Sequence, residues 1–328
     1  MANNRLLVIY NICGIKKNNT NVYPRYLSSL MEQNFNGEMK VVISACMPHP
    51  TTKPAMNLMF PECDFNSIEE PLPINVTFNH SVLEAVKRYG TFDSYVYVSC
   101  DSLFPNPNMI QSLFDLLKSN DEYGMSTPQT DIDGCYAYGL KLGGGRHGID
   151  DERARHEMFQ DGTDYVVPIG RACSPHVNFY NPKILEFYGK LLPDIFAAYC
   201  TESIFTFLNA ALKLKWVISR ENCIVHHANT DIPSAGFRPE EREGPPWDYP
   251  IPHFGDSLIH VFKNDKARSL GLGYEECENI VNHDPSQFDS NGFCVNDELK
   301  YYLRDNVYLN VDHLNFKDIK GTYHECEG

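Results

Sequence analysis

Positive charge is in short supply in this chain: 28 Lys and Arg stand against 43 Asp and Glu over 328 residues, a formal net charge of -15. A surface of that sign repels nucleic acid and anionic lipid and has no basic stripe to bind them, so polyanionic partners are excluded. Long apolar runs are missing too. Leu6-Leu7-Val8-Ile9-Tyr10 leads straight into Asn11, and no stretch approaches the roughly 20 apolar residues that cross a bilayer. The same run is too short for a secretory h-region and has no small-residue cleavage site after it. Also absent is any Cys-x-x-Cys pair: the eleven cysteines are odd in number and widely spread. That pattern favours reduced thiols over a disulfide framework or a structural zinc site, and points to a cytoplasmic protein, peripheral to a membrane at most. Asn-x-Ser/Thr triplets at Asn18, Asn75 and Asn79 are then coincidental.

What is present is an alternation. RLLVIYNI reads as a buried strand, and VYPRYLSSLMEQNF places Tyr23, Leu27, Leu30 and Met31 on one helical face. MKVVISAC reads as a second strand. NHSVLEAVKRYG, with Val82, Leu83, Val86 and Tyr89 in register, reads as a helix ending at Gly90, and SYVYVSC as another strand. Strands and helices alternating over short connections predict a mostly parallel α/β sheet covered on both faces. Ligands of such sheets sit at the carboxyl ends of the strands, which aims Asp101 at the site.

After Asp101 comes a helix that Pro107 can start, then a turn-rich region from Asp121 to Asp164 containing LGGGRHGID. Three glycines suit a phosphate cradle only between a strand and a helix, and neither flanks them, so a flexible loop is the expectation. NPKILEFYGKLLPDIFAAYC reads as a helix interrupted at Pro193. RPEEREGPPWDYPIPH, Arg238 to His253, holds five prolines and reads as a long loop over the core, a lid in which Trp247 either stacks on a sugar or base or anchors the loop. Residues 254–328 carry no legible function.

The helix TESIFTFLNAALKLK repeats apolar residues at Ile204, Phe205, Leu208, Ala211 and Leu212, which buries one face and leaves Glu202 free in its first turn. Strand-like WVIS and ENCIVHH follow. The acid reads either as a general base or as a helix N-terminal charge favoured by the macrodipole. His226 and His227 read either as metal ligands or as surface imidazoles. Asp101 reads either as a ligand or as a capping acid after a strand.

Taken in order, YNI, YLSSLMEQNF, GEMKVVISA, NHSVLEAVKRYGTFDSYVYVSCDSLF, TES with its helix and IVHH resemble the nucleotide-sugar glycosyltransferases of the GT-A (Rossmann-like) fold, and within them the large inverting family-two type. The resemblance covers about residues 5 to 230 and rests on several weak motifs in sequence. It implies a transferase domain over residues 1–235, with a Pro-rich loop and C-terminal extension, 236–328, packing on it.

The resemblance also implies a metal-dependent, inverting transfer of a sugar from a nucleoside-diphosphate donor to a hydroxyl of a glycan, lipid or protein. The family's Asp-x-Asp falls on Ser99-Cys100-Asp101, so only the last carboxylate is kept, and His226 or His227 would complete the shell of Mn²⁺ or Mg²⁺. Glu202 matches the acid that serves as general base. Tyr10 and Asn11 after the first strand, Ser44 after the second, and Ser99 and Cys100 after the third implied strand end fall where relatives hold the nucleotide. Relatives often carry aspartates where this chain has Ser44-Ala45-Cys46, so the nucleotide is poorly specified, with UDP the commonest in the family. Arg171, His176 and Asn178 lie in the stretch that shapes the donor and acceptor pocket, with Trp247 in the loop above. Two other readings stay open: a sugar-1-phosphate nucleotidyltransferase, for which Ile12 to Lys17 is a thin activating loop, and a glycan-binding domain without turnover, which the incomplete Asp-x-Asp allows.

Overall fold

The computed structural model describes residues 4–13, 23–46, 48, 50–68, 74–130, 161–169, 176–193, 201–226, 269, 272–274 and 281–306. Strand β1 (Asn4–Cys13) lies in the middle of the first half of the sheet because its sequence is apolar on both sides. Leu7 and Ile9 enter one core cluster, and Leu6, Val8, Tyr10 and Ile12 enter the other. Each such fully buried aliphatic side chain contributes about 1.5 to 3 kcal/mol. β2 (Gly37–Cys46) and β4 (Ser94–Ser99) pair with β1 in parallel, and β3 (Asp64–Ile68) extends β2 in parallel. Between them run α1 (Tyr23–Met31), α2 (Thr52–Met59) and α3 (Ile74–Tyr89). Leu27 and Leu30 bury as the α1 periodicity predicts, joined by Tyr26. α3 ends where Gly90 turns left-handed at φ 80.

The second half is mixed. After β5 (Ser102–Leu103) come α4 (Met109–Lys118), β6 (Tyr123–Thr130), β7 (Tyr165–Val166) and β8 (Val177–Tyr180). Then follow α5 (Pro182–Tyr188), α6 (Thr201–Ala211) and β9 (Lys215–His226). The strand order is β3-β2-β1-β4-β8-β6-β9-β5, with β7 paired to β9. β8 runs antiparallel between β4 and β6, and β5 and β7 run antiparallel to β9, while β1, β2, β3, β4, β6 and β9 share one direction. The α/β sheet expected from the alternation is therefore present, mostly in one direction.

Residues of α3, α5 and α6 line one face of the sheet, together with α7 (Glu298–Asn306); α1 and α4 line the other. A small hairpin, β10 (Leu272–Tyr274) with β11 (Val281–His283), and a short 3-10 turn at Pro285–Gln287 precede α7. Leu299, Tyr302 and Leu303 of α7 share a core with Phe207 and Leu208 of α6. The expected boundary at 235/236 and the Pro-rich stretch lie outside the described residues. No described helix is long and apolar enough to cross a membrane.

Four local expectations are corrected. The region from Asp121 was expected to be turns, but Tyr123–Thr130 is an inner strand. Gly124 belongs there because a Cβ would overlap the Asn209 side chain of α6. The helix expected up to Pro193 stops after Tyr188, because Gly189 takes φ 77 and its N–H bonds Leu185 O at 2.8 Å. α6 is buried all round from Phe205 to Ala211, since it is sandwiched between the sheet and α7. The two strands expected after it are one strand with a bend: the register with β6 jumps from Thr127↔Ile218 to Gln129↔Cys223. Ser219 to Asn222 thus face only Pro128, which has no N–H to give the ladder. Gln129 Nε2 closes the bend by donating to Ser219 O at 3.1 Å and Arg220 O at 2.5 Å.

Candidate functional site

The bend after β4 is held from below and from both sides. Ser99 Oγ donates a short hydrogen bond to Asp101 Oδ1. The phenol of Tyr10 rises through the α1-side core and donates to Cys100 O at 2.8 Å. Ser99 N donates to His176 O at 2.8 Å, and Phe104 N to Ser29 Oγ at 3.1 Å. The chain re-enters the sheet at once as β5, where Ser102 pairs with His226 and Leu103 with Val225. The bend in β9 is what brings its last residues here. The backbone of His226 is therefore set opposite Ser102, one residue from Asp101.

The first turn of α6 points toward the same end of the sheet. Lys213, at φ 59, turns the chain sharply from α6 into β9, and Leu214 N bonds Asn209 O at 2.8 Å, so helix and strand run in opposite directions. Ring contacts fix the helix lengthwise: Phe205 lies 5.6 Å from Trp216 and 6.3 Å from Tyr180, which pairs with Tyr95 of β4. Glu202 is three residues earlier, about 4.5 Å nearer the carboxyl edge at 1.5 Å per residue. Topology thus sets Asp101 beside the paired position of His226 at the carboxyl edge and points the first turn of α6 toward that edge.

The remaining expected residues divide. Asn11 pairs with Ser99 on one side and Ser44 on the other, in a polar row across the strand ends. Within that row Ser44 is a correction: it is 0% exposed, and its Oγ accepts from Ser81 Oγ at 2.8 Å, so its hydroxyl serves helix packing and is closed to a nucleotide. Tyr10 is also a correction, since its ring is 0% exposed and has no free face for a base. Asn178, expected to contact the donor and acceptor pocket, is buried inside β8 opposite Tyr97, with Nδ2 donating to the Tyr180 hydroxyl at 3.3 Å. His227, Arg171 and Trp247 lie outside the described residues. Among the described residues, no group of three His, Cys, Asp or Glu gathers as a metal cluster. The donor chemistry nevertheless suits a divalent cation: a carboxylate and a histidine position across the turn, completed by water and phosphate oxygens, match the partly aquated shells of Mn²⁺ and Mg²⁺.

The clamp that α3 provides was not legible in the residue pattern. Asn79 Oδ1 accepts from Leu191 N at 3.2 Å and Leu192 N at 3.1 Å, and its Nδ2 donates to Leu192 O at 2.6 Å. Asn75 Nδ2 donates to Pro193 O. Both asparagines are buried, which agrees with their glycosylation triplets being coincidental. The clamp holds the chain that leads toward α6. A cavity of about 360 Å³ lies elsewhere, by α4 and the β9 bend, lined by Ser112, Leu116, Thr163, Asp164, Arg220 and Glu221, none of them candidate residues.

No protein-family model matches this chain, and no curated protein matches it significantly. Among solved structures it is similar to a mannosyltransferase from Pyrobaculum calidifontis, PcManGT, whose structure is a complex with GDP-Man and Mn²⁺. The two share 14% identity over 82% of this chain and 76% of that one, with a TM-score of 0.49. A likeness at that level carries no functional weight by itself.

Proposed function

We propose that the chain is a metal-dependent, inverting glycosyltransferase of the GT-A type, with its transferase domain over residues 1–235 and the remainder packed on it as an extension. The observation that supports the reading is the pairing of Ser102 with His226, which puts a histidine position across the ladder from the residue that follows Ser99-Cys100-Asp101. In this reading Asp101 and His226 would hold Mn²⁺ or Mg²⁺, with His227 the alternative ligand. Such a cation would offset the charge that builds on the departing nucleoside diphosphate, a need that is acute in a chain of net charge -15.

Glu202 takes the proton of the acceptor hydroxyl while that oxygen attacks the anomeric carbon from the face opposite the diphosphate. The bond from the anomeric carbon to the phosphate oxygen breaks, its electron pair leaves with the diphosphate, and the configuration inverts. Ser99 shapes the turn by donating to Asp101, and Asn11 and Cys100 border the same strand end. Arg171, His176 and Trp247 belong to the donor and acceptor side, and Asn178, buried in β8, supports it from below. The donor is a nucleoside-diphosphate sugar, uridine being the first to test, and the enzyme acts in the cytoplasm.

Purified protein with Mn²⁺, offered UDP-, GDP- and dTDP-sugars with simple glycan acceptors, should release nucleoside diphosphate from at least one donor and yield the product of opposite anomeric configuration. Release from none of them, with retained binding of a glycan, would favour the non-catalytic glycan-binding reading that Ser99 in place of a carboxylate also suits.

A further inference from the structure

The antiparallel ladder between β4 and β8 pairs Tyr97 with Asn178 and Val98 with Val177. The bond from Ser99 N to His176 O, at 2.8 Å, continues it by one step and sets Ser99 directly opposite His176. Residues opposite each other in an antiparallel pair share a face, with Cβ atoms about 4.5 to 5.5 Å apart. Val177 is buried in the α1-side cluster, so alternation places His176 on the other face, the face of Ser99. Ser99 Oγ is in turn bonded to Asp101 Oδ1. One serine side chain therefore has a carboxylate on its hydroxyl and an imidazole as its cross-strand neighbour. His176 is half-buried, open enough to meet a ligand from the cleft.

We propose that the imidazole of His176 is a protein ligand of the cation held by Asp101, supplying the donor that Ser99 does not. This rests on the reading of Asp101 as a cation ligand. Where a first carboxylate would stand, Ser99 presents a short neutral hydroxyl that is already donating to Asp101, so it adds no negative charge and its proton is spent. A neutral imidazole nitrogen would add a softer donor than a second carboxylate, and a site built from one carboxylate and histidines would shift preference from Mg²⁺ toward Mn²⁺ and Co²⁺. Asp101, His176 and the strand position of His226 come from three separate segments whose backbones are tied to one turn, by Ser99 N to His176 O and by Ser102 opposite His226.

The test titrates Mn²⁺ alone into full-length wild type, Asp101→Ala, His176→Ala and His176→Gln, reading free Mn²⁺ by electron paramagnetic resonance and folding by circular dichroism. His176→Ala and His176→Gln should each weaken Mn²⁺ at least about tenfold, as loss of even an outer-shell partner commonly costs 10- to 100-fold. The Co²⁺ complex of wild type should show ligand-field bands that change in His176→Gly and return when free imidazole is added, a response that a purely structural role would not give. If wild type binds Mn²⁺, Asp101→Ala loses it and both His176 variants match wild type in affinity and Co²⁺ spectrum, His176 is not a ligand while Asp101 remains one. If wild type and Asp101→Ala bind Mn²⁺ identically or not at all, the cation site itself falls.

Discussion

Ser102 is paired with His226 across β5 and β9, one residue beyond Asp101. Cys100, before Asp101 in the chain, carries a half-buried thiol outside any disulfide, and its carbonyl is held by Tyr10. A ligand seated on this turn should shield that thiol. Alkylation mapped by mass spectrometry should therefore slow at Cys100 when Mn²⁺ and a nucleoside diphosphate are added. Cys63, whose thiol burial pushes up to about 12, should stay unmodified throughout. Equal rates at Cys100 with and without ligand would move the nucleotide elsewhere.

Glu202→Gln keeps the size of the side chain and removes its basicity. Loss of a general base costs about 100- to 10,000-fold. Turnover in the variant should fall by that order while the Kd for donor with Mn²⁺ stays within about twofold. A kcat equal to wild type would take Glu202 out of the reaction.

Asn79 holds Leu191 and Leu192 through three hydrogen bonds inside the core. Asn79→Ala strands two buried N–H groups and a carbonyl, each costing about 1 to 3 kcal/mol. Urea denaturation should show a loss of about 3 kcal/mol or more. Because the clamp holds the approach to α6, turnover should suffer too. A loss under about 1 kcal/mol would mean that the clamp is dispensable.

Asp64 is pushed up by burial, but the Tyr89 hydroxyl and Lys40 outweigh this and bring it below its ordinary value. A carboxylate lowered by folding adds stability above its unfolded pKa and loses it as pH falls through the folded one. Wild type should therefore exceed Asp64→Asn in Tm at neutral pH, by an amount equivalent to about 0.2 to 1 kcal/mol for so exposed a cluster. The gap should close as pH drops below the ordinary 3.8. A gap that widens on acidification would reverse the assignment.

Apolar density made β1, β2 and β4 legible, since a strand buried on both faces must be apolar on both. β6 was hidden because Gly124 and Pro128 are turn residues by type, yet here one admits Asn209 and the other opens the β9 bend. α2 and β3 went unread because their faces are only partly buried and their sequences carry no strong period. At the site, Asp101 was legible as the residue after a strand, and Glu202 as an acid in a helix's first turn. Burial of Tyr10 and Ser44 was not, because it depends on α1 and α3 closing over strand ends. Nor was the position of His176 opposite Ser99, which arises from an antiparallel strand inserted into a sheet that reads as parallel.

The most direct measurement is the thermal unfolding of wild type and Asp101→Ala with UDP, GDP and dTDP, each with and without Mn²⁺. A ligand at a hundred times its Kd stabilises by about 2.7 kcal/mol. Wild type should gain Tm with at least one of the three when Mn²⁺ is present and much less when it is absent, and Asp101→Ala should lose the Mn²⁺-dependent part. No gain with any nucleotide, or the same gain in Asp101→Ala, would contradict a cation-held diphosphate at the end of β4.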